Sequence, residues 1–370
     1  MPFARLLRTP LSAVVSLRRR TYPGALMLVI DGSRGEGGGQ ILRTALAMSL
    51  LTKTPIQIHK IRANRKPKPG LQPQHLMGVR AAAEIGNARV DGDRIGSSAL
   101  SFIPGDITGG DYRFPIRTAG ATSLVLHTVY LPLFLGAKEP SRVIIEGGTH
   151  VSHSPCYHFL ERTWAKYLGR LGLPITLRMN RPGFYPRGGG EIEVAITPVE
   201  KVFPVNFTDP VTHVRAEVVG AVAGLDADVG KRLARKATVL LRDLGLEVES
   251  SVEQWENGPA AVVLITLPGG PVPTLVAGLG SRGKPADAVA ADAVAELKPH
   301  LASHAPVDPH SADQLLLPLA FADGESVFHV SEVTRHLLTN ADVIQMFGTA
   351  TVEIEGEEGA PGLVRVRPRG

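Results

Sequence analysis

The chain has 370 residues, 44% of them hydrophobic and 20% charged, with 40 Lys and Arg against 35 Asp and Glu and a formal net charge of +5. That length can hold two domains and a sizeable core, and the modest basic excess permits a polyanionic partner without demanding one. A single cysteine, Cys156, excludes an internal disulfide and any multi-cysteine metal site, and it suits a reducing compartment.

Residues 1–24 carry five arginines, two serines and no acidic residue. They read either as a mitochondrial presequence or as a basic N-terminal extension, with Met27 as an alternative start, and are set apart from the fold. Ala25–Ile30 then reads as a buried strand, Gly35, Gly37, Gly38 and Gly39 as a loop, and Ile41–Leu51 as a buried helix. Glycines in such a loop let the backbone approach a ligand, and the helix N-terminus behind them favours anions. Glu36 in the loop and Arg43 on the helix are costly to bury without a partner, so a phosphate, a metal or each other must satisfy them. The pattern is not the dinucleotide fingerprint, because no third glycine stands at the required offset.

From Gly37 to Ala83 the chain contains no Asp or Glu, while Arg43, Lys53, Lys60, Arg62, Arg65, Lys66, Lys68 and Arg80 fall there. Arg62, Arg65, Lys66 and Lys68 are set among prolines in a stiff loop that runs to His75, which points to a polyanionic partner. Further on, His75–Ile85 reads as a helix, and Ala88–Gly92, Ser101–Ile103 and Tyr112–Pro115 read as short strands. A turn near residue 118 leads into an apolar helix and the strand Arg142–Glu146. The same layout returns at His310–Ala320 with the strand Ser326–Val330, so turn, buried helix and strand occur near residues 35, 118 and 310 as a degenerate internal repeat. Val202–His300 differs in character. It reads as an inserted α/β unit with strands at Val214–Val222, Glu247–Gln254 and Ala260–Leu267 and helices at Ala227–Leu244 and Ala286–Leu297. The uncharged stretches Thr118–Ala137 and Asn257–Ser281 are broken by His127 and Pro132 and by repeated Gly and Pro, so neither reads as a membrane span.

Three blocks together resemble the RNA 3′-terminal phosphate cyclases. The first is Asp31-Gly-Ser-Arg-Gly-Glu-Gly-Gly-Gly-Gln-Ile-Leu-Arg43 with Arg62-Ala-Asn-Arg65, Pro69-Gly70 and Gln74-His75. The second is Gly183-Phe-Tyr-Pro-Arg-Gly-Gly-Gly190, and the third is Ala312-Asp-Gln314 with His336-Leu-Leu-Thr-Asn340. The resemblance implies an α+β fold with a core of three repeated units, each a four-stranded sheet plus two helices, and one inserted smaller α/β domain. The expected division is a catalytic repeat domain over 25–200 and 305–370, an inserted domain over 201–304, and the extension over 1–24.

The resemblance further implies ATP-dependent conversion of an RNA 3′-terminal phosphate to a 2′,3′-cyclic phosphate, with a divalent metal, Mg²⁺ or Mn²⁺. It places the nucleophile at His336, which becomes a histidine–AMP intermediate before AMP passes to the RNA end as RNA-3′-pp-5′-A. Glu36 is expected at the triphosphate, through the metal. Arg43, Arg62 and Arg65 would hold phosphates of ATP or RNA, with Gln74 in the same cleft. Asp313 and Gln314 would face the nucleotide, and Pro155 would lie against the adenine. His127 stands where bacterial members carry glutamine, and His310 where they carry a tyrosine that stacks on adenine. The alternative reading is a non-catalytic cyclase-like ribosome-assembly factor acting in rRNA processing, a class that lacks the histidine block. An enolpyruvyl transferase, built from similar repeats, is a more distant third. The expected partners are ATP and RNA with a 3′-terminal phosphate, with no membrane. The expected location is the cytoplasm, with the nucleus or mitochondrion following from a eukaryotic origin or a presequence.

Overall fold

The computed structural model of the chain describes residues 19–22 and 25–369. Its first strand corrects the sequence reading: β1 (Arg19–Tyr22) lies inside the segment set apart from the fold and pairs antiparallel with β2 (Ala25–Asp31), Arg19 opposite Leu28. An unpaired edge of β2 would expose a row of backbone donors and acceptors, and β1 covers it. Residues 1–18 and 23–24, where the rest of the expected presequence or basic extension falls, lie outside the described residues.

Three units share one topology. The first runs β2, α1 (Gly39–Thr52), β3 (Ile56–His59), α2 (Pro73–Ile85), β4 (Arg89–Asp91), β5 (Leu100–Ile103). β2 and β3 are parallel, and the later strands fold back antiparallel to give the order β2-β3-β5-β4. The second unit repeats this with β6 (Asp111–Pro115), α3 (Thr122–Gly136) and β7 (Ser141–Gly147). Its second helix is composite: α4 (Tyr157–Phe159) passes through a π-helical turn, Leu160–Trp164, into α5 (Ala165–Arg170). With β8 (Ile175–Arg181) and β9 (Gly190–Ile196) the order is β6-β7-β9-β8.

The third unit opens at β10 (Asn206–Phe207) and is then interrupted by β11 (Arg215–Ala223), α6 (Ala227–Asp243), β12 (Glu247–Trp255), β13 (Ala260–Leu267), β14 (Thr274–Leu279) and α7 (Ala286–Ser303). It resumes with α8 (Pro309–Leu319), β15 (Ser326–Val330), α9 (Arg335–Met346), β16 (Ala350–Glu355) and β17 (Gly362–Pro368), in the order β10-β15-β17-β16. The fold is therefore α+β with three repeated units of a four-stranded sheet and two helices, each with strand order first, second, fourth, third. The interrupting strands form a separate sheet, β12-β11-β13-β14.

Packing follows from patterning. α1 and α3 are apolar round most of their circumference, as a helix enclosed by neighbours must be; α1 packs against α2, α3 and α9. α6 instead buries only Gly230, Leu233, Ala234, Ala237, Thr238 and Leu241, one stripe at three- and four-residue spacing, and its first turn is capped by Asp226, which accepts from the Asp228 N–H at 2.8 Å. The inserted sheet alternates faces with period two. Val218, Val263 and Ile265 join the apolar cluster under α6 and α7, while Val219, Val262 and Leu264 join the main core of the repeats. Among the described residues, no helix is long and apolar enough to cross a membrane.

Candidate active site where helix N-termini meet

The glycine-rich loop and the first turns of α1, α2 and α9 come together. Gly39 opens α1, and a β-carbon built there would lie 2.5 Å from His75 Nε2 on α2, so only glycine lets that imidazole rest on the helix. Gln74 beside it accepts a hydrogen bond at 2.9 Å from the N–H of Ala121, the residue that precedes α3. Backbone N–H groups at such ends carry partial positive charge, which favours phosphate.

At the centre stands a relay of three side chains. Gln40, buried on the first turn of α1, donates from Nε2 to Asp313 Oδ2 on α8 at 2.6 Å, and its Oε1 lies 2.7 Å from His336 Nδ1 on α9. An amide whose nitrogen faces a carboxylate presents its oxygen on the other side, so His336 must donate from Nδ1. The imidazole then holds its lone pair on Nε2. Glu332 stands four residues before this histidine, a spacing that would bring the two together only on one helix. It precedes Thr334, which caps α9 by accepting from the Leu337 N–H at 3.1 Å, so it lies outside the helix and the orienting partner is Gln40.

Asn340 locks the helices that carry the relay, accepting from Thr44 Oγ1 and donating to the Asp313 carbonyl, both at 2.6 Å. All three groups are buried. Asn340→Ala strands two of them, and the expected loss is about 1–3 kcal/mol of unfolding free energy, measured as a lower urea midpoint; an unchanged midpoint would remove the lock.

Charges surround the relay. Burial pushes the Asp313 carboxyl above its ordinary range, against the Gln40 hydrogen bond and the pull of His336, Arg43 and His310. The Glu36 carboxylate, 5% exposed, is paired with Arg65, and its N–H donates to Thr339 Oγ1 at 3.0 Å. Arg43 is half-buried and makes no ion pair among the described residues; burial weakens its hold on the proton, while Asp313 and Glu36 strengthen it. Arg62 turns back on its own loop, donating from Nη1 to the carbonyls of Lys68 at 2.9 Å and Gly70 at 2.8 Å.

The remaining residues singled out in the sequence take no part in the relay's hydrogen bonds. His127 on α3 packs its ring 4.9 Å from that of Trp164. His310 on α8 is bonded from Nε2 to Glu296 Oε1 on α7 at 2.8 Å, and this hydrogen bond raises its pKa to about 9. That contact is fully present below the ordinary histidine value and is lost as pH rises through about 9. Gln314 donates to the His310 carbonyl at 2.7 Å and leaves its Oε1 buried without a partner. Pro155 is half-buried just ahead of α4. Sequence reasoning missed Gln40, Thr44, Thr339 and Asn340 as site residues. The one local signal was a polar Gln40 opening an otherwise apolar helix.

Buried histidines make the fold sensitive to acid, His127 and His75 among them, with His150 and His158 also held below the ordinary histidine value by burial. Burial holds His127 down to about 3, with Arg43 adding to it, and burial with Arg62, Arg43 and Arg65 holds His75 down to about 3. The unfolded chain takes up these protons near pH 6.5 and the folded chain does not, so stability is complete above about 6.5 and declines as pH falls toward 3. A lower denaturant midpoint at pH 5 than at pH 7 is expected, with a smaller drop in His127→Gln; equal drops in both proteins would contradict this assignment.

The arrangement defines a repeat protein that gathers cations and helix N-termini around an oriented histidine. A family model for RNA 3′-terminal phosphate cyclase matches residues 34–354. The chain is similar to proteins named RNA 3′-terminal phosphate cyclase from Ectopseudomonas mendocina (43% identical over 348 residues, 92% of this chain and 97% of the relative). It is likewise similar to those from Ralstonia nicotianae (42% over 354 residues, 95% and 99%) and Methanopyrus kandleri (40% over 352 residues, 93% and 99%). Among solved structures, the enolpyruvyl transferase NikO from Streptomyces tendae matches with 13% identity and a TM-score of 0.23 over 94% of this chain and 84% of that one, which carries no argument. The chain belongs to the RNA 3′-terminal phosphate cyclase family.

Proposed function

We propose that the protein converts an RNA 3′-terminal phosphate to a 2′,3′-cyclic phosphate using ATP, with His336 Nε2 as the nucleophile. The observation that carries this is the Asp313–Gln40–His336 relay, which leaves a lone pair on Nε2, with the half-buried Arg43 close enough to Asp313 and Glu36 to feel both charges and in no ion pair among the described residues. A neutral imidazole is a competent nucleophile near pH 7, and the phosphoramidate it forms transfers its phosphoryl group readily.

Nε2 attacks the α-phosphorus of ATP, the N–P bond forms and the P–O bond to pyrophosphate breaks. Gln40 keeps the Nδ1 proton in place as positive charge develops on the ring, and Asp313 holds Gln40. An oxygen of the RNA 3′-phosphate then attacks the same phosphorus, the N–P bond breaks, and RNA-3′-pp-5′-A results. Finally the vicinal 2′-OH attacks the 3′-phosphorus, loses its proton and expels AMP. Arg43 and Arg65 hold phosphate oxygens and the negative charge gathered on them. Arg62, already committed to its loop carbonyls, shapes the basic loop and adds its charge to the cleft.

Among the described residues no cluster of three or more His, Cys, Asp or Glu is placed to hold a metal. The donor set, one carboxylate at Glu36, fits a Mg²⁺ or Mn²⁺ ion held mainly by phosphates and water, as hard divalent cations often are at nucleotides. Bound there, such an ion would neutralise triphosphate charge, and Glu36 would exchange its Arg65 contact for it. His310 is held at its edge by Glu296, which leaves the ring faces free to stack on the base, with Pro155 proposed on the other side of the adenine and Asp313, Gln314 and His127 bordering the nucleotide. The cytoplasm is the proposed location.

The test is incubation with ATP, a divalent metal and an RNA oligonucleotide ending in a 3′-phosphate. The expected result is an end that resists phosphatase, with release of AMP and pyrophosphate. An RNA end that stays phosphatase-sensitive while ATP is not consumed, with Mg²⁺ and Mn²⁺ both tried, would sink the proposal and favour the assembly-factor reading.

A further inference from the structure

The relay and the basic loop account for the terminal phosphate, but nothing in them grips the RNA chain behind it. The block Gly183–Gly190 does no work in the chemistry, yet it is built as a held platform. Its root is clamped between the second repeat and the inserted unit: Phe184 is buried with its ring centroid 5.7 Å from that of His150, and it stacks on Trp255 at 6.4 Å and 11°. Asn257 in the inserted unit donates to the carbonyls of Pro182 at 2.7 Å and Gly189 at 3.3 Å. Gly188 has φ +72° and sits so close to the turn between β6 and α3 of the same repeat that a β-carbon would fall 2.4 Å from the Thr118 carbonyl oxygen.

From this fixed root the next side chain, Tyr185, projects into solvent with 80% of its surface exposed. Arg187 and, across the Gly188 contact, Arg117 are also exposed, and neither is in an ion pair among the described residues. The nearby carboxylates of Glu146 and Glu191 are both occupied by Arg113. The platform is continuous with the site. Thr118 leads to Ala121, which Gln74 holds; His75 follows Gln74 and rests on Gly39, next to Gln40.

We infer that Gly183–Gly190 is a binding platform for the single-stranded RNA chain upstream of the terminal nucleotides, with Tyr185 stacking a base and Arg187 and Arg117 holding backbone phosphates. An exposed aromatic ring interleaved with unpaired arginines is the chemistry that grips a nucleic-acid strand without reading its sequence. The inference rests on the proposal that the protein acts on RNA, but not on the histidine step.

The experiment is binding of labelled RNAs ending in a 3′-phosphate, two and ten nucleotides long, measured by fluorescence anisotropy without ATP. The wild type is expected to bind the decamer more tightly than the dinucleotide. Tyr185→Ala and Arg187→Ala are each expected to weaken decamer binding about tenfold, to bring it toward the dinucleotide's affinity, and Arg187→Ala to lower the salt dependence by about one counterion. Arg89→Ala, which removes an exposed charge on the outer strand β4, is expected to keep the advantage of length. Unchanged decamer affinity in both platform variants, or an equal loss in Arg89→Ala, would overturn the platform. Failure of the wild type to bind either RNA would instead overturn the RNA reading beneath it.

Discussion

His336→Ala is expected to abolish cyclisation, lowering the rate on the order of 10³-fold or more, because the group that accepts AMP is gone and no neighbour can replace it. Arg335 and Leu337, which flank it, are not nucleophiles. The His75 imidazole packs on Gly39 of α1, and its pKa is held low by burial and three arginines. His336 itself is exposed, so the alanine variant is expected to fold with an unchanged thermal midpoint. Retention of more than a few per cent of wild-type cyclisation by the folded variant would mean that a different group, or no protein nucleophile, carries the AMP.

Gln40→Ala is expected to give the second-largest effect, a fall of about 10–100-fold in the rate of AMP transfer, the scale seen when a partner that orients a reactive histidine is removed. Without the amide, Nδ1 and Nε2 compete for the proton, and the buried Asp313 carboxyl loses its hydrogen-bond donor. The loss should fall on kcat, because Gln40 touches the imidazole and the carboxylate and is not expected to touch ATP. A rise in KM for ATP at constant kcat would show instead that Gln40 is a substrate contact. Comparing Gln40→Ala with Asn340→Ala separates the two roles: the asparagine change should mainly lower stability, and the glutamine change mainly the rate.

Much of the fold was legible because it depends on local pattern. The strands Ala260–Leu267 and Ser326–Val330 match the sequence reading residue for residue, since continuous apolar runs bounded by Gly, Pro or charge leave little choice. α1 begins two residues earlier than the apolar run suggested, because Gly39 and Gln40 have to turn into the helix to reach α2, α8 and α9. The threefold layout showed through its buried first helices, α1, α3 and α8. The parallel pairing of β10 with β15 did not, because nearly the whole inserted unit separates them.

The site was less legible, and the reason is distance along the chain. Gln40 meets partners 273 and 296 positions away, and no local spacing reports that. Glu332 shows why spacing alone misleads: four residues separate it from His336, but the Thr334 cap starts the helix after it. The structure shows Gln74 accepting from the Ala121 N–H and Arg62 folded onto its own loop carbonyls, contacts that the residue types alone do not report. Arg43 and Glu36 were readable as costly buried charges, and the structure pairs Glu36 with Arg65 while Arg43 has no ionic partner among the described residues.

The most direct test of this account traps the protein after reaction with ATP carrying a labelled α-phosphate and locates the label by mass spectrometry and ³¹P NMR. The prediction is an acid-labile adenylate on His336, attached at Nε2 because Gln40 holds Nδ1. An adenylate on Nδ1, or on any residue other than His336, would contradict it.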